Sequence, residues 1–270
     1  MTIVTFFGGL ASTVFLPLSS WLVEVQGWRA ALVSLAIILG VVTVPVHALL
    51  IRRHPTKSNR SAEGRNKQTS SADVGASLAA NRLSSGLFRQ ASFRWLMLAI
   101  CLTQMASVGA AVHLVPYLGE RGYQPSWAAT LAGLGGVMQI FGRLMYAPFG
   151  DRVPVLRSAA VIQLIEPLGM LMLLAIPGVP GVLAFVALFG IGRGATTLTR
   201  PAVVVHLYGS ERFGSVNGVL ALVVAVSRAV GPVAVAAVHD VLGSYDPAMT
   251  ALVVMSAAGA SALLRVREPK

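Results

Sequence analysis

The residues best suited to chemistry are charged and hydroxyl side chains inside long apolar stretches of the sequence. Four of them have the i, i+3, i+4, i+7 spacing that shares one face of a helix: Arg193, Thr196, Thr197 and Arg200. Arginine binds a carboxylate through two parallel hydrogen bonds, and a charge within an apolar helix normally faces a cavity or a partner. We therefore predict that Arg193 and Thr197 bind an anion, whereas Arg200 is expected to extend towards the surface.

Arg228 and Glu166 are two further charges at internal positions. At about 1.5 Å per helical residue, Arg193 lies about 17 Å and Arg228 about 22 Å from one end of its stretch, near the middle. Arg228 is therefore predicted to bind the same anion, with a structural ion pair to Glu166 as the alternative. Glu166 needs a partner or a proton at its depth. It is a candidate for proton coupling, and a structural pair is again the alternative.

Composition identifies these stretches as membrane spans. Of the 270 residues, 55% are apolar and 11% are charged, and the charged share is about half that of a soluble domain. A water-soluble globule, a disordered chain and a coiled coil are thereby excluded. Runs of about 20 residues, the length that crosses a bilayer, occur at 2–23, 30–51, 95–119, 122–142, 158–176, 182–206, 213–238 and 247–264. We predict an all-α, polytopic membrane bundle of about eight transmembrane helices.

Basic residues are distributed unequally among the connections between these runs. The formal net charge is +11, and nine Lys and Arg residues lie in the connection 52–94, whereas the odd-numbered connections hold only Arg29 and Arg121. Basic loops tend to stay in the cytoplasm. The predicted location is the cell membrane, with both termini and the 52–94 loop cytoplasmic. Because topology accounts for the basic residues, no nucleic-acid partner is expected.

An internal repeat relates the first two runs to the last two. Pro17 precedes Gly27-Trp28 and a new run, and Pro232 precedes Gly243-Ser244-Tyr245 and a new run in the same way. Runs one and two therefore correspond to the last two helices of a six-helix unit.

This correspondence predicts three regions. Residues 1–51 are the last two helices of an N-terminal bundle, and residues 95–270 are a complete six-helix bundle. Residues 52–94 are a basic cytoplasmic linker, since they are rich in Ser, Asn, Gln and Arg. On this interpretation the first bundle is truncated and lacks four helices.

The segment from Gly142-Arg143 to Asp151-Arg152, after the fourth run, has a glycine-rich helix end followed by Asp-Arg. Together with Gly231-Pro232 and Gly243-Ser244-Tyr245, it resembles the major facilitator superfamily, in its monocarboxylate and oxalate/formate branch. The resemblance covers the family's fifth to twelfth helices. It implies transport by alternating access, with a cytoplasmic gate formed by Gly142, Arg143, Asp151 and Arg152. Simple anchoring of the helix end is the alternative.

The expected function is therefore secondary transport of a small solute, an organic anion such as a monocarboxylate. The expected partners are that solute, a coupled proton and the lipid bilayer. The motifs of metal-dependent and serine hydrolases and of phosphate loops are absent from the sequence, and Cys101 is the single cysteine. No enzyme activity, cofactor or metal is expected. The alternative is a truncated, transport-inactive protein, or a remnant that needs a partner chain to supply the missing helices.

Overall fold

The structure is a computed structural model that describes residues 2–50, 87–146 and 153–266, with side chains for 14–45 within the first range. The described residues form six α-helical elements and no strand, which confirms the all-α prediction. They are α1 (Thr2–Leu50), α2 (Ala91–Glu120), α3 (Pro125–Tyr146), α4 (Val155–Ala175), α5 (Val179–Leu242) and α6 (Tyr245–Leu264).

Two of these elements change direction at a glycine. Gly27 in α1 has φ 76° and ψ 162°, and Gly209 in α5 has φ 74° and ψ 167°. Residues with a Cβ rarely adopt such angles, whereas glycine does so without steric cost. Each long element is thus two helices joined without a loop, and the described residues contain the eight helical segments expected. Residues 179–208 and 210–242 are called the first and second arms of α5.

The elements have the exterior of membrane helices. Each of the six contains a segment long and apolar enough to cross a bilayer. In α4, for example, Val161, Leu164, Leu168 and Leu171 are exposed, whereas Glu166 is only 5% exposed. A lipid environment favours this arrangement, in which apolar residues lie on the outside and the charged residue lies inside.

The described residues fall into two compact units. Residues 18–85 form one, of which 18–50 are described, and residues 1–17 and 86–270 form the other. In the larger unit, α5 packs against α2, α3 and α4, while α6 packs against α2 and α4. Most of the predicted linker lies outside the described residues. Its last part, 91–94, is already the beginning of α2.

Two hydrophobic clusters form the core of the larger unit. One contains Phe185 and Leu252, and the other contains Phe93 and Val204. The clusters occupy opposite ends of the same helices, so a layer at half the helix length separates them. This layer contains the polar residues Gln104, Glu166, Arg193 and Arg228.

Candidate functional site

A cavity of about 420 Å³ lies in the layer between the two hydrophobic clusters. We call it the polar chamber. Its walls come from α2, α3, α4 and both arms of α5, and its lining residues are Gln104, Gln139, Glu166, Arg193, Thr196, Thr197, Arg200, Pro201, Asn217 and Arg228. The structure therefore brings Arg193, Thr197, Arg228 and Glu166 to one cavity.

Three guanidinium groups share the polar chamber. Arg228 interacts electrostatically with both Arg193 and Arg200, and its Nε donates a hydrogen bond to Oε1 of Gln104 at 3.1 Å. Arg200 was expected to extend towards the surface, but it lines the chamber because it continues the face of Arg193. Glu166 is the one carboxylate among the lining residues. The cations thus outnumber the acids, which favours an anion as ligand.

Glu166 faces Arg193 from the neighbouring helix. Its carboxylate lies near the Ser107 hydroxyl and the Arg193 guanidinium, and its Oε2 has no hydrogen-bond partner within the described part of the chain. Among the described residues no ion pair joins Glu166 to Arg228, which was the alternative from the sequence; the cation that interacts with Glu166 is Arg193. A carboxylate and an incoming anion would both be drawn to Arg193, so protonation of Glu166 would free Arg193 for the anion.

The two threonines of the Arg193 face use their hydroxyl protons locally. Thr196 Oγ1 donates to the Gly192 carbonyl at 2.8 Å, and Thr197 Oγ1 donates to the Gly194 carbonyl at 2.6 Å. Helical threonines commonly bond backwards in this way. In this rotamer each oxygen can accept a hydrogen bond from a ligand but cannot donate one to a carboxylate. The arginines and amides therefore supply the donors.

Close helix packing sets the positions of the site residues. A Cβ on Gly192 would lie 2.9 Å from Cγ of Glu166, and the backbone of Gly194 lies directly against the Gln139 carbonyl. The glycines near Arg193 thus allow close packing, and the bend in α5 is at Gly209.

The predicted gate is only partly within the described residues. The Gly142 backbone lies against the backbone of Ile191 in α5, which leaves no space for a side chain. Arg143 is half-buried in the last turn of α3. Asp151 and Arg152 lie outside the described residues, so their role in a gate stays a prediction.

A second set of charged residues, which the sequence did not reveal, joins α2, α5 and α6 where α2 ends. Arg121 Nη2 lies 2.6 Å from Oδ1 of Asp246, and His239 Nε2 lies 2.6 Å from Oε1 of Glu120. Tyr245 stacks on the His239 ring at 4.1 Å between centroids. Partial burial opposes the charge of Arg121, but the hydrogen bond to Asp246 raises its pKa above the usual value. We call these five residues the terminal cluster.

Comparison with known proteins assigns the family. Residues 1–232 match the Major Facilitator Superfamily. The chain belongs to that superfamily. The resemblance to this superfamily is thereby confirmed, and this superfamily member is a multi-pass membrane protein.

Curated relatives of this superfamily member are named monocarboxylate transporters. Monocarboxylate transporter 13 of Bos taurus is 25% identical over 262 residues, which cover 95% of this chain and 57% of the relative. The Rattus norvegicus protein of the same name is 26% identical, with 95% and 56% covered. Monocarboxylate transporter 12 of Mus musculus is 27% identical, with 89% and 53% covered. The chain spans about half the length of the curated relatives it matches.

Proposed function

We propose that this protein moves a small organic anion, such as a monocarboxylate, across the cell membrane by alternating access. The observation that supports the proposal is the polar chamber at half the length of the helices. Its three arginines face a single carboxylate. Positive charge in excess at this depth is costly unless a ligand of opposite charge visits it.

In this proposal the Arg193 guanidinium binds the substrate carboxylate through two hydrogen bonds. Arg228 supplies a further donor from the second arm of α5, and its bond to Gln104 Oε1 fixes its orientation. Thr197 contributes an acceptor oxygen to the chamber wall. Because α5 bends at Gly209, the two arms present their cations to one volume.

Glu166 is proposed as the proton-coupling group. Its carboxylate interacts with Arg193 in the absence of substrate. When Glu166 takes up a proton, Arg193 loses that partner and can bind the substrate anion. Substrate and proton then enter the chamber together, and the coupled movement adds no net charge for a monovalent anion.

The gate and the topology are proposed on the sequence pattern. Gly142 and Arg143 lie in the last turns of α3, the end that precedes Asp151-Arg152 in the sequence. Contact there would close one side of the pathway in one state and open it in the other. The basic loop 52–94 and both termini would then lie in the cytoplasm. The names of the relatives, monocarboxylate transporters, support the substrate class.

The first test measures uptake of a radiolabelled monocarboxylate into proteoliposomes that contain the full chain. Arg193→Ala is expected to abolish uptake while the protein still inserts, because the carboxylate loses its bidentate partner. Arg121→Ala in the terminal cluster is the matched control, since it removes the same side chain away from the chamber, and it should retain uptake. Unchanged uptake by Arg193→Ala would contradict the site assignment.

The alternative, a transport-inactive chain or one that needs a partner chain, is tested in the same preparation. Direct binding of the labelled acid to the purified protein is measured beside uptake. Binding without uptake would contradict transport by this chain alone and favour a partner chain. Uptake that depends on Arg193 would contradict the alternative.

A further inference from the structure

A second cavity adjoins the polar chamber and differs from it in chemistry. It measures about 490 Å³ and is lined mainly by apolar side chains of α2, α3 and the first arm of α5. We call it the apolar chamber. Representative lining residues are Val108, Ala111, Val115, Phe185 and Phe189.

Arg193 and Gln139 line both chambers and so mark their junction. The Arg193 guanidinium carbon lies 5.9 Å from the centroid of the Phe189 ring, a cation–π distance. Phe189 stacks in turn on Phe185, with 4.8 Å between ring centroids. A carboxylate held by Arg193 therefore has cationic and amide groups on one side and a wall of aromatic rings on the other.

Resting on the proposed function, we infer that the substrate is an amphipathic monocarboxylate whose apolar part, at least the size of a benzene ring, occupies the apolar chamber. The carboxylate lies at Arg193 and the hydrocarbon part extends past Phe189 towards Val108. The size follows from volume, because a cavity of about 150 Å³ already binds benzene in other proteins. The apolar chamber exceeds that volume about threefold.

The chemistry of the walls makes short acids poor ligands. A two-carbon acid would satisfy Arg193 but would leave the apolar chamber without a hydrocarbon partner. Each buried methylene contributes about 0.8 kcal/mol, which is about fourfold in affinity. Affinity should therefore increase steeply with the size of the apolar group, at constant charge.

The experiment measures displacement of radiolabelled 3-phenylpropanoate from the purified full chain by acids of increasing size. Acetate, butanoate, hexanoate and unlabelled 3-phenylpropanoate form the series. The uncharged 3-phenylpropanamide matches the last acid in shape. From acetate to hexanoate the affinity is expected to rise on the order of a hundredfold, and the amide should bind at least tenfold more weakly than its acid.

Gly135→Leu tests where the apolar part lies. Gly135 lines the apolar chamber, and a Cβ there meets no atom within 4 Å, so the leucine can occupy the chamber. Affinity for 3-phenylpropanoate should fall at least tenfold, while acetate binding stays within twofold. Ala111→Leu, on the facing α2, provides a second variant with the same expected result. Gly40→Leu is the matched control, because its Cβ also meets no atom within 4 Å, and it should change neither affinity.

The outcomes separate this inference from the proposed function. Equal affinity for acetate and 3-phenylpropanoate, unaffected by Gly135→Leu, would contradict binding of the substrate's hydrocarbon part in the apolar chamber. It would not contradict the anion site at Arg193. Equal affinity for the acid and its amide would overturn the anion site. No binding by any acid of the series would overturn both.

Discussion

The polar chamber and the terminal cluster are two groups of charged residues in the same bundle with different charge balance. In the terminal cluster, Arg121 pairs with Asp246 and His239 lies against Glu120. In the polar chamber, three arginines face Glu166 alone. The terminal pairs also lie at helix ends, where the Arg121 and Asp246 side chains are 35% and 59% exposed, whereas Glu166 is 5% exposed.

The difference separates charges that join helices from charges that we propose bind a ligand. Paired groups at a partly exposed helix end contribute little energy each, but they fix how α2, α5 and α6 meet. An excess of cations at half the length of apolar helices contributes no comparable stability to the protein by itself. The balance of charge, together with depth, is what supports the proposal that the polar chamber is the functional site.

The largest expected effect distinguishes Glu166 of the polar chamber from Glu120 of the terminal cluster. Glu166→Gln should abolish the dependence of uptake on an imposed proton gradient, because the amide cannot exchange the proton that frees Arg193. Substrate binding should persist. The measurement is uptake in proteoliposomes with and without a pH gradient, after size-exclusion chromatography has verified the folded protein.

Glu120→Gln is the matched control for that experiment. Glu120 contacts His239 and the Tyr245 backbone rather than the chamber, so gradient-driven uptake should remain. If Glu166→Gln keeps its response to the gradient, proton coupling at Glu166 is wrong. The comparison between the two clusters would then rest on the arginines alone.

An intermediate effect is expected at Arg228. A hydrogen bond to a charged group contributes about 1.5–3 kcal/mol, so Arg228→Ala should weaken substrate binding about ten- to hundredfold. The affinity of Arg228→Lys should lie between those of the wild-type protein and Arg228→Ala, since lysine keeps the charge but lacks the planar donors. Equilibrium binding of the labelled acid measures both. Wild-type affinity in Arg228→Ala would contradict substrate binding by Arg228 in the second arm of α5.

The smallest effect is expected in the terminal cluster. A double-mutant cycle of Arg121→Ala and Asp246→Ala should give a coupling free energy below about 1 kcal/mol, because the pair is partly exposed to solvent. It is measured from the thermal unfolding of the detergent-solubilised protein, and substrate affinity should not change. A coupling of several kcal/mol, or weaker binding, would give the terminal cluster a larger role than joining helices.

Local spacing made much of the site predictable. The faces of a helix follow from its period, so Arg193 and Thr197 could be placed together before any contact was known. Charge at half the length of an apolar run likewise indicated Arg228 and Glu166. These two signals need only the sequence near each residue.

Contacts between distant helices were not predictable in the same way. The Arg228–Gln104 bond joins residues 124 positions apart, and Glu166 interacts with Arg193 rather than Arg228 because Gly192 allows α4 to approach α5. The pairs of the terminal cluster are similarly distant in sequence. The period of a helix does not indicate which helices become neighbours. The connection expected between the runs 182–206 and 213–238 is a bend at Gly209 rather than a loop.

The bend at Gly209 joins the two arms of α5 without a loop. The number of residues in α5 is therefore constrained. Arg193 and Arg228 belong to one element with a fixed bend and no loop between its arms. A single residue inserted between Gly209 and Arg228 would rotate the rest of the arm by about 100°. Arg228 would leave the polar chamber, and the packing of the second arm would be displaced with it. A flexible loop would absorb such an insertion, so the stretch from Arg193 to Arg228 should tolerate substitutions far better than changes in length.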